Sequence, residues 1–247
     1  MSNRITSLFG IQYPVVMGAV AQTPELGAVV SNAGGLGCIA GALSSPEVLR
    51  ERIQRFRELS DKPFSVNFPI VLTPEKDIEP KMRMMVEEKV PVVMTSAGNP
   101  KMWTSFLKEG GCRVAHVLPT VYHASKAVAA VLALGADGVQ LGTRFMATTE
   151  SESPDTFRQL VLAANDTSTM SAEGRVNPRV TRPEFAEAVL GEKKQVQMGQ
   201  VAALIDEVKS VEAVMHDLMS GGFEASKAVT VELAEFEGSQ LGATGRV

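Results

Sequence analysis

Histidine, cysteine and tryptophan are scarce in this chain: three, two and one among 247 residues. Cys38 and Cys112 each sit inside an apolar run, which argues against a disulfide framework and fits small buried thiols in a reducing compartment. No HExxH motif, paired-cysteine motif or nucleophile elbow occurs, and no carboxylate pair has a recognisable spacing. Metal, glycosidase and serine-hydrolase chemistry therefore lack their carriers. Excess charge is missing too: 24 basic against 28 acidic residues gives a net charge of −4 without any Lys/Arg block, so the electrostatic footprint of a nucleic-acid binder is absent. No run approaches the roughly 20 apolar residues that span a bilayer, and residues 1–10 lack the apolar core of a signal peptide. The expectation is a cytoplasmic protein with no nucleic-acid or membrane partner.

What the chain does contain is enough apolar material for a core, 45% hydrophobic against 21% charged residues, and a repeating order. Apolar runs Tyr13–Val20, Leu36–Ala42, Phe64–Leu72, Pro91–Ser96 and Arg113–Leu118 are each followed by a helical stretch. The pairs Thr23-Pro24, Ser45-Pro46, Thr73-Pro74 and Asn99-Pro100 offer a side-chain acceptor at the N-cap and a preset φ at the first helical residue. Continuous rather than alternating apolar runs belong to strands covered on both faces, the mark of a parallel sheet with helices outside. Thr120 to Leu134 reads as a helix stopped by Gly135, Asp137–Thr143 as a sixth strand, and Ser153-Pro154-Asp155 opens a further helix. Residues 165–183 read as loop, 184–218 as interrupted helix, and 238–247 as a frayed tail.

Six βα units in succession give an α/β, TIM-barrel-like repeat two strands short of the usual eight. In such folds ligands lie beyond the carboxyl ends of the strands. The residues there, Met17-Gly18-Ala19-Val20, Gly41, Asn67, Ala97-Gly98, His116 to Pro119 and Gly142-Thr143, are small and poor in charge. Small residues admit close backbone approach, and a Gly-Thr turn before a helix exposes amides to an anion. A large, planar, phosphorylated ligand is implied, with tight turns as the plain structural alternative.

Several stretches together resemble one family. They are Met17-Gly18-Ala19, Ser31 to Gly37, Lys62 to Asn67, Leu134 to Phe145 and Gly199 to Asp206. In this order they are similar to the nitronate monooxygenases, formerly 2-nitropropane dioxygenases, and to the FMN-dependent enoyl-ACP reductase II enzymes of the same family. The resemblance implies an FMN-binding barrel formed by residues 1–165 and 199–218, a loop and helical addition over 166–198, and a C-terminal helix and tail over 219–247. Met17, Gly18, Ala19 and Val20 would lie along the isoalloxazine through backbone contacts, and Asn67 would hydrogen-bond the flavin. Gln140, Gly142 and Thr143 would sit at the phosphate end. His116 would face the barrel mouth, against its alternative as a structural strand histidine. The partners implied are a small-molecule substrate and, in the reductase branch, NAD(P)H; a homodimer is compatible. The motifs do not choose between the branches.

The chain also departs from the family. Relatives place two more strands between the fifth strand and Gly135, bearing a Gly-Gly-His element that supplies the catalytic base and a Gly-Gly turn for the flavin phosphate. Here Ala124–Ala130, like the start of one helix, runs directly into Val131–Leu134, like the end of another. A smaller shortening falls near Arg179–Glu187. Without the base, substrates that need proton transfer should turn over slowly, and an inactive flavin-binding remnant is an open alternative. Gly135 to Gly142 also resembles the last strand of IMP-dehydrogenase-type enzymes, but no catalytic cysteine loop accompanies it.

Overall fold

The computed structural model of the chain describes residues 3–21, 23–96, 101–117, 138–173 and 179–221. Its first helix, α1 (Arg4–Phe9), is unannounced by the apolar pattern and rests on local chemistry. Asn3 Oδ1 accepts from the Thr6 amide at 2.9 Å while Thr6 Oγ1 accepts from the Asn3 amide at 2.8 Å, a reciprocal capping pair. Gly10, at φ 70°, ends the helix in the left-handed region.

The βα order follows: β1 (Val15–Met17), α2 (Glu25–Asn32), β2 (Gly37–Ala40), α3 (Pro46–Leu59), β3 (Phe64–Pro69), α4 (Glu75–Glu87), β4 (Val92–Ser96), α5 (Lys101–Glu109), β5 (Arg113–Val117) and β6 (Val139–Leu141). Strands are shorter than the apolar runs. Phe64–Leu72, for example, leaves the sheet at Pro69 and turns into a 3-10 turn at Ile70–Leu72. Of the expected caps, Ser45 performs as expected, its hydroxyl accepting from the Val48 amide with Pro46 at the first turn. Thr23 and Thr73 do not cap: both helices begin one residue later, with Pro24 and Pro74 at the N-cap. The Thr73 hydroxyl instead donates to Pro69 O at 3.0 Å. The cap expected at Asn99 lies outside the described residues.

β2, β3, β4 and β5 pair in parallel in that order, β6 pairs in parallel with β1, and a parallel bridge between Val16 and Leu36 joins β1 to the β2 end. The resulting sequence of strands, β6–β1–β2–β3–β4–β5, is that of a TIM barrel in which first and last strands adjoin. Among the described residues no ladder joins β5 to β6, so the described strands leave the barrel open there. Burial shows the same gap, since β2, β3 and β4 are almost wholly buried whereas β5 is only partly so.

Strand register assigns the two faces. Ile39, Val66, Val93 and Val114 lie side by side and pack with Leu49, Ile53, Phe56, Met82, Met85 and Leu107 of the helices. Ala40, Asn67, Met94 and Ala115 form the neighbouring row on the opposite, inner face. Met82, Met84 and Met85 are buried, as core filling requires. Cys38 and Cys112 are buried and unpaired.

After β6 come α6 (Thr143–Met146), α7 (Asp155–Leu162), the antiparallel pair β7 (Thr169–Ser171) and β8 (Arg179–Thr181), α8 (Pro183–Leu190), a 3-10 turn at Gln200–Leu204, and a helix, α9, over 211–221. The antiparallel pair replaces the expected loop over 165–183. Its strands have only three residues each, too short to carry a periodic signal. Phe157 and Leu160 of α7, Ala186 of α8, and Met198, Ala202 and Ile205 share one apolar cluster, which joins the end of the βα series to the segment after it. Among the described residues no helix is long and apolar enough to cross a membrane.

Candidate functional site

The carboxyl ends of the six strands define one rim, and pairing between β1 and β6 brings its two glycine turns together. The Gly18 amide donates to Leu141 O at 2.7 Å. A Cβ on Gly18 would stand 3.4 Å from Leu141 O, and one on Gly142 would stand 3.2 Å from Val20 Cγ1. Gly18, Val20 and Gly142 therefore meet in one patch, bare backbone at the two glycines with the Val20 side chain beside them. Met17 is fully buried and belongs to the same apolar cluster as Leu26, Val30, Phe145 and Met215. The amides of Met17 and Val20 are already bonded, to Leu36 O and Gly18 O. Ala19, exposed at the apex of the turn, makes no backbone hydrogen bond among the described residues.

Gly142 is the N-cap of α6. Its carbonyl accepts from Phe145 and Met146, whereas the amides of Gly142, Thr143 and Arg144 donate to no backbone carbonyl among the described residues. First-turn amides left in this way favour an anion. Thr143 Oγ1 is turned inward, accepting from the Gly199 amide at 3.0 Å. Gly199, which opens the last resembling stretch but ends no strand, is thereby brought to the turn after β6. Arg144 points elsewhere, its guanidinium donating to Glu207 O at 3.0 Å. Burial lowers its pKa, while Asp206, Asp217 and Glu207 act in the opposite sense.

Asn67 and Gln140 reach the same end from the inner face. Asn67 is buried, and its Oδ1 accepts from Ser96 Oγ at 3.3 Å. Gln140 Nε2 lies 3.7 Å from Met94 Sδ, and Met94 is the register neighbour of Asn67. Gln140, Met94, Asn67 and Ser96 thus form one chain of contacts between β6 and β4. Ser96 and Met94 were not singled out from the sequence, yet Ser96 closes β4 and could have been found as a strand-ending hydroxyl. Ala97, Gly98, Pro119, His123 and the splice at 124–134 lie outside the described residues.

His116 is not brought to this chain of contacts. It is paired in register with Thr95, on the face that carries Val93 and Val114 toward the helices, and its Nδ1 lies 2.8 Å from Thr95 Oγ1. The expectation that it faces the barrel mouth is corrected accordingly: alternation along β5 turns Ala115 and Val117 inward and His116 outward. His216 on α9 is exposed, 3.7 Å from Asp217. Among the described residues no cluster of His, Cys, Asp and Glu could hold a metal ion.

The nitronate monooxygenase family profile matches residues 2–118 and 123–227. The chain belongs to the nitronate monooxygenase family. The two matched blocks part in the interval between β5 and β6. A (3aS,4S,5R,7aS)-5-hydroxy-7a-methyl-1-oxo-octahydro-1H-indene-4-carboxyl-CoA dehydrogenase of Rhodococcus jostii is 30% identical over 209 residues, covering 64% of this chain and 59% of that protein. As 64% of 247 residues is about 158, about 50 of those 209 aligned positions face no residue here. The nitronate monooxygenase of Pseudomonas aeruginosa is 49% identical over 69 residues, 27% of this chain and 20% of that one. This chain thus spans less than two thirds of these relatives. Among solved structures, a FabK mutant from Thermotoga maritima superposes with a TM-score of 0.85 at 28% identity, covering 94% of this chain and 100% of that one. The nitroalkane oxidase of Streptomyces ansochromogenes, at 20% identity and a TM-score of 0.77, shares the fold.

Proposed function

We propose that this chain binds FMN at the carboxyl ends of β1, β3 and β6 and acts as a flavin-dependent oxidoreductase on nitronates. The observation that carries the reading is the junction of Gly18, Val20 and Gly142, where two side-chain-free positions meet and a Cβ at Gly142 would press on Val20 Cγ1. The residues present fit a flavin. Gly18 to Val20 offer a narrow backbone edge, Asn67 and Gln140 offer amides, and the α6 amides offer an anion notch for the phosphate. When bound, FMN supplies the hydride- or electron-accepting centre; the protein holds, orients and dries it. Asn67 is buried beside Ala40, Met94 and Ala115 of the inner face, so a hydrogen bond from Asn67 acts there in poor competition with water, whereas Gln140 is exposed and would meet the ligand from the solvent side.

Neither described histidine reaches the inner face. A substrate already deprotonated, as a nitronate is, asks least of such a site, and turnover that needs a protein base should be slow. A second reading, an enoyl-ACP reductase II-like enzyme drawing on NAD(P)H, is favoured by the likeness to FabK. The protein loaded with FMN should consume dioxygen when a nitronate is added and oxidise NADH or NADPH slowly. NADPH oxidation with a crotonyl thioester, in the absence of nitronate-dependent oxygen uptake, would replace the first reading with the second. A colourless protein that FMN does not protect against heat would remove both and leave an inactive remnant.

A further inference from the structure

Lys81, on α4, has no exposed surface, and its neighbours Met82, Met84 and Met85 are also buried. Its Nζ donates to Ala42 O at 2.9 Å and lies 5.8 Å from the centre of the Phe68 ring. The nearest carboxylate influence is Asp77, one turn earlier, and burial drives the pKa of Lys81 downward against it. A buried ammonium with one carbonyl and one aromatic face is costly, and an apolar side chain of equal volume would suit the layer at least as well. The cation is thus best explained by what it holds. Ala42 lies in the turn from β2 to α3, and the preceding Gly41 donates its amide to Asn67 O at 2.9 Å. A Cβ on Gly41 would come within 3.0 Å of that same oxygen. Leu43, next in the turn, is 80% exposed and has little apolar contact of its own to fix it.

We infer that Lys81 is a positioning residue, whose ammonium clamps the β2–α3 turn against the end of β3 and thereby fixes Asn67 for the ligand at the rim. The link to the ligand rests on the flavin reading above; the clamp itself does not. The test compares wild type with Lys81→Met by hydrogen exchange, thermal melting and titration with FMN. Loss of the clamp should raise exchange at the Gly41 amide about tenfold, the equivalent of about 1.4 kcal/mol, without lowering the melting temperature. FMN should bind about five- to tenfold more weakly, with an altered band shape of the bound flavin. In the wild type, acetylation of Lys81 should lag far behind that of exposed Lys76, a measurement that stands even if the variant does not fold. Unchanged exchange at Gly41, or equal acetylation of the two lysines, would overturn the clamp. A loosened turn with unchanged FMN affinity and spectrum would overturn its link to the site. If wild type binds no FMN, the flavin reading fails and the exchange result alone decides the clamp.

Discussion

Replacing Gly37 with alanine should break the contact on which the first βα unit is built. A Cβ at Gly37 would fall 1.9 Å from Gly27 O, 2.6 Å from Gly27 C and 2.7 Å from Ser31 Oγ. Two of these are backbone atoms of α2, so no rotamer relieves the overlap and the helix must move outward by about 1 Å. Overpacking of this kind costs about 1–3 kcal/mol. The movement also strains the Ser31 hydroxyl, which accepts from the Gly37 amide at 2.9 Å and donates to Pro63 O at 2.8 Å, each bond worth about 1 kcal/mol. A loss of about 3–5 kcal/mol follows, a large part of the roughly 5–15 kcal/mol typical of a domain. Urea unfolding should show a lower midpoint with unchanged slope. Gly221→Ala, at the last described residue of α9, where an added Cβ meets no described atom within 4 Å, is the control and should cost no stability, since alanine is the better helix former. A Gly37→Ala protein as stable as that control would refute the packing of α2 directly on β2.

Asn67→Ala should weaken FMN binding about fivefold, the worth of about one hydrogen bond, as read by quenching of flavin fluorescence; unchanged affinity would remove Asn67 from the flavin site. Burial raises the Cys38 thiol to about 12 from an ordinary 9.0. The folded chain therefore keeps its proton where the unfolded chain loses it, and this contribution to stability, full below pH 9, is lost as pH rises toward 12. Denaturant midpoints should fall across that window in wild type and less steeply in Cys38→Ala. Ser45→Ala removes a cap whose hydrogen bond is long, at 3.4 Å, so its cost should sit near the low end of the usual range, about 0.5 kcal/mol in urea unfolding.

The parallel sheet was legible because both-side burial leaves its trace in unbroken apolar runs: each of the six expected strands contains an observed one. Strand ends were less legible, since apolar residues such as Ile70 and Leu72 continue the run after hydrogen bonding has stopped. The caps at Thr23 and Thr73 failed for a related reason. A Thr-Pro pair does not by itself say whether the helix starts at the proline or one residue after it. The sequence order of motifs placed Gly18 beside Gly142 only by family likeness, and in the fold that proximity comes from the β1–β6 register. His116 shows the converse: its position in an apolar strand is visible, but which face it takes depends on a register that only pairing with Thr95 reveals. The antiparallel pair of β7 and β8 has three-residue strands and no period to read.

On the proposed reading, the turns after β1 and β6 meet to hold a phosphorylated flavin. The most direct measurement is an FMN titration of wild type and Gly142→Val, each checked for its fold by circular dichroism. Wild type should quench FMN fluorescence saturably, and the variant should lose about 100-fold or more in affinity, the equivalent of about 2.7 kcal/mol, with its fold retained. A folded Gly142→Val protein that binds FMN as tightly as wild type would contradict that reading.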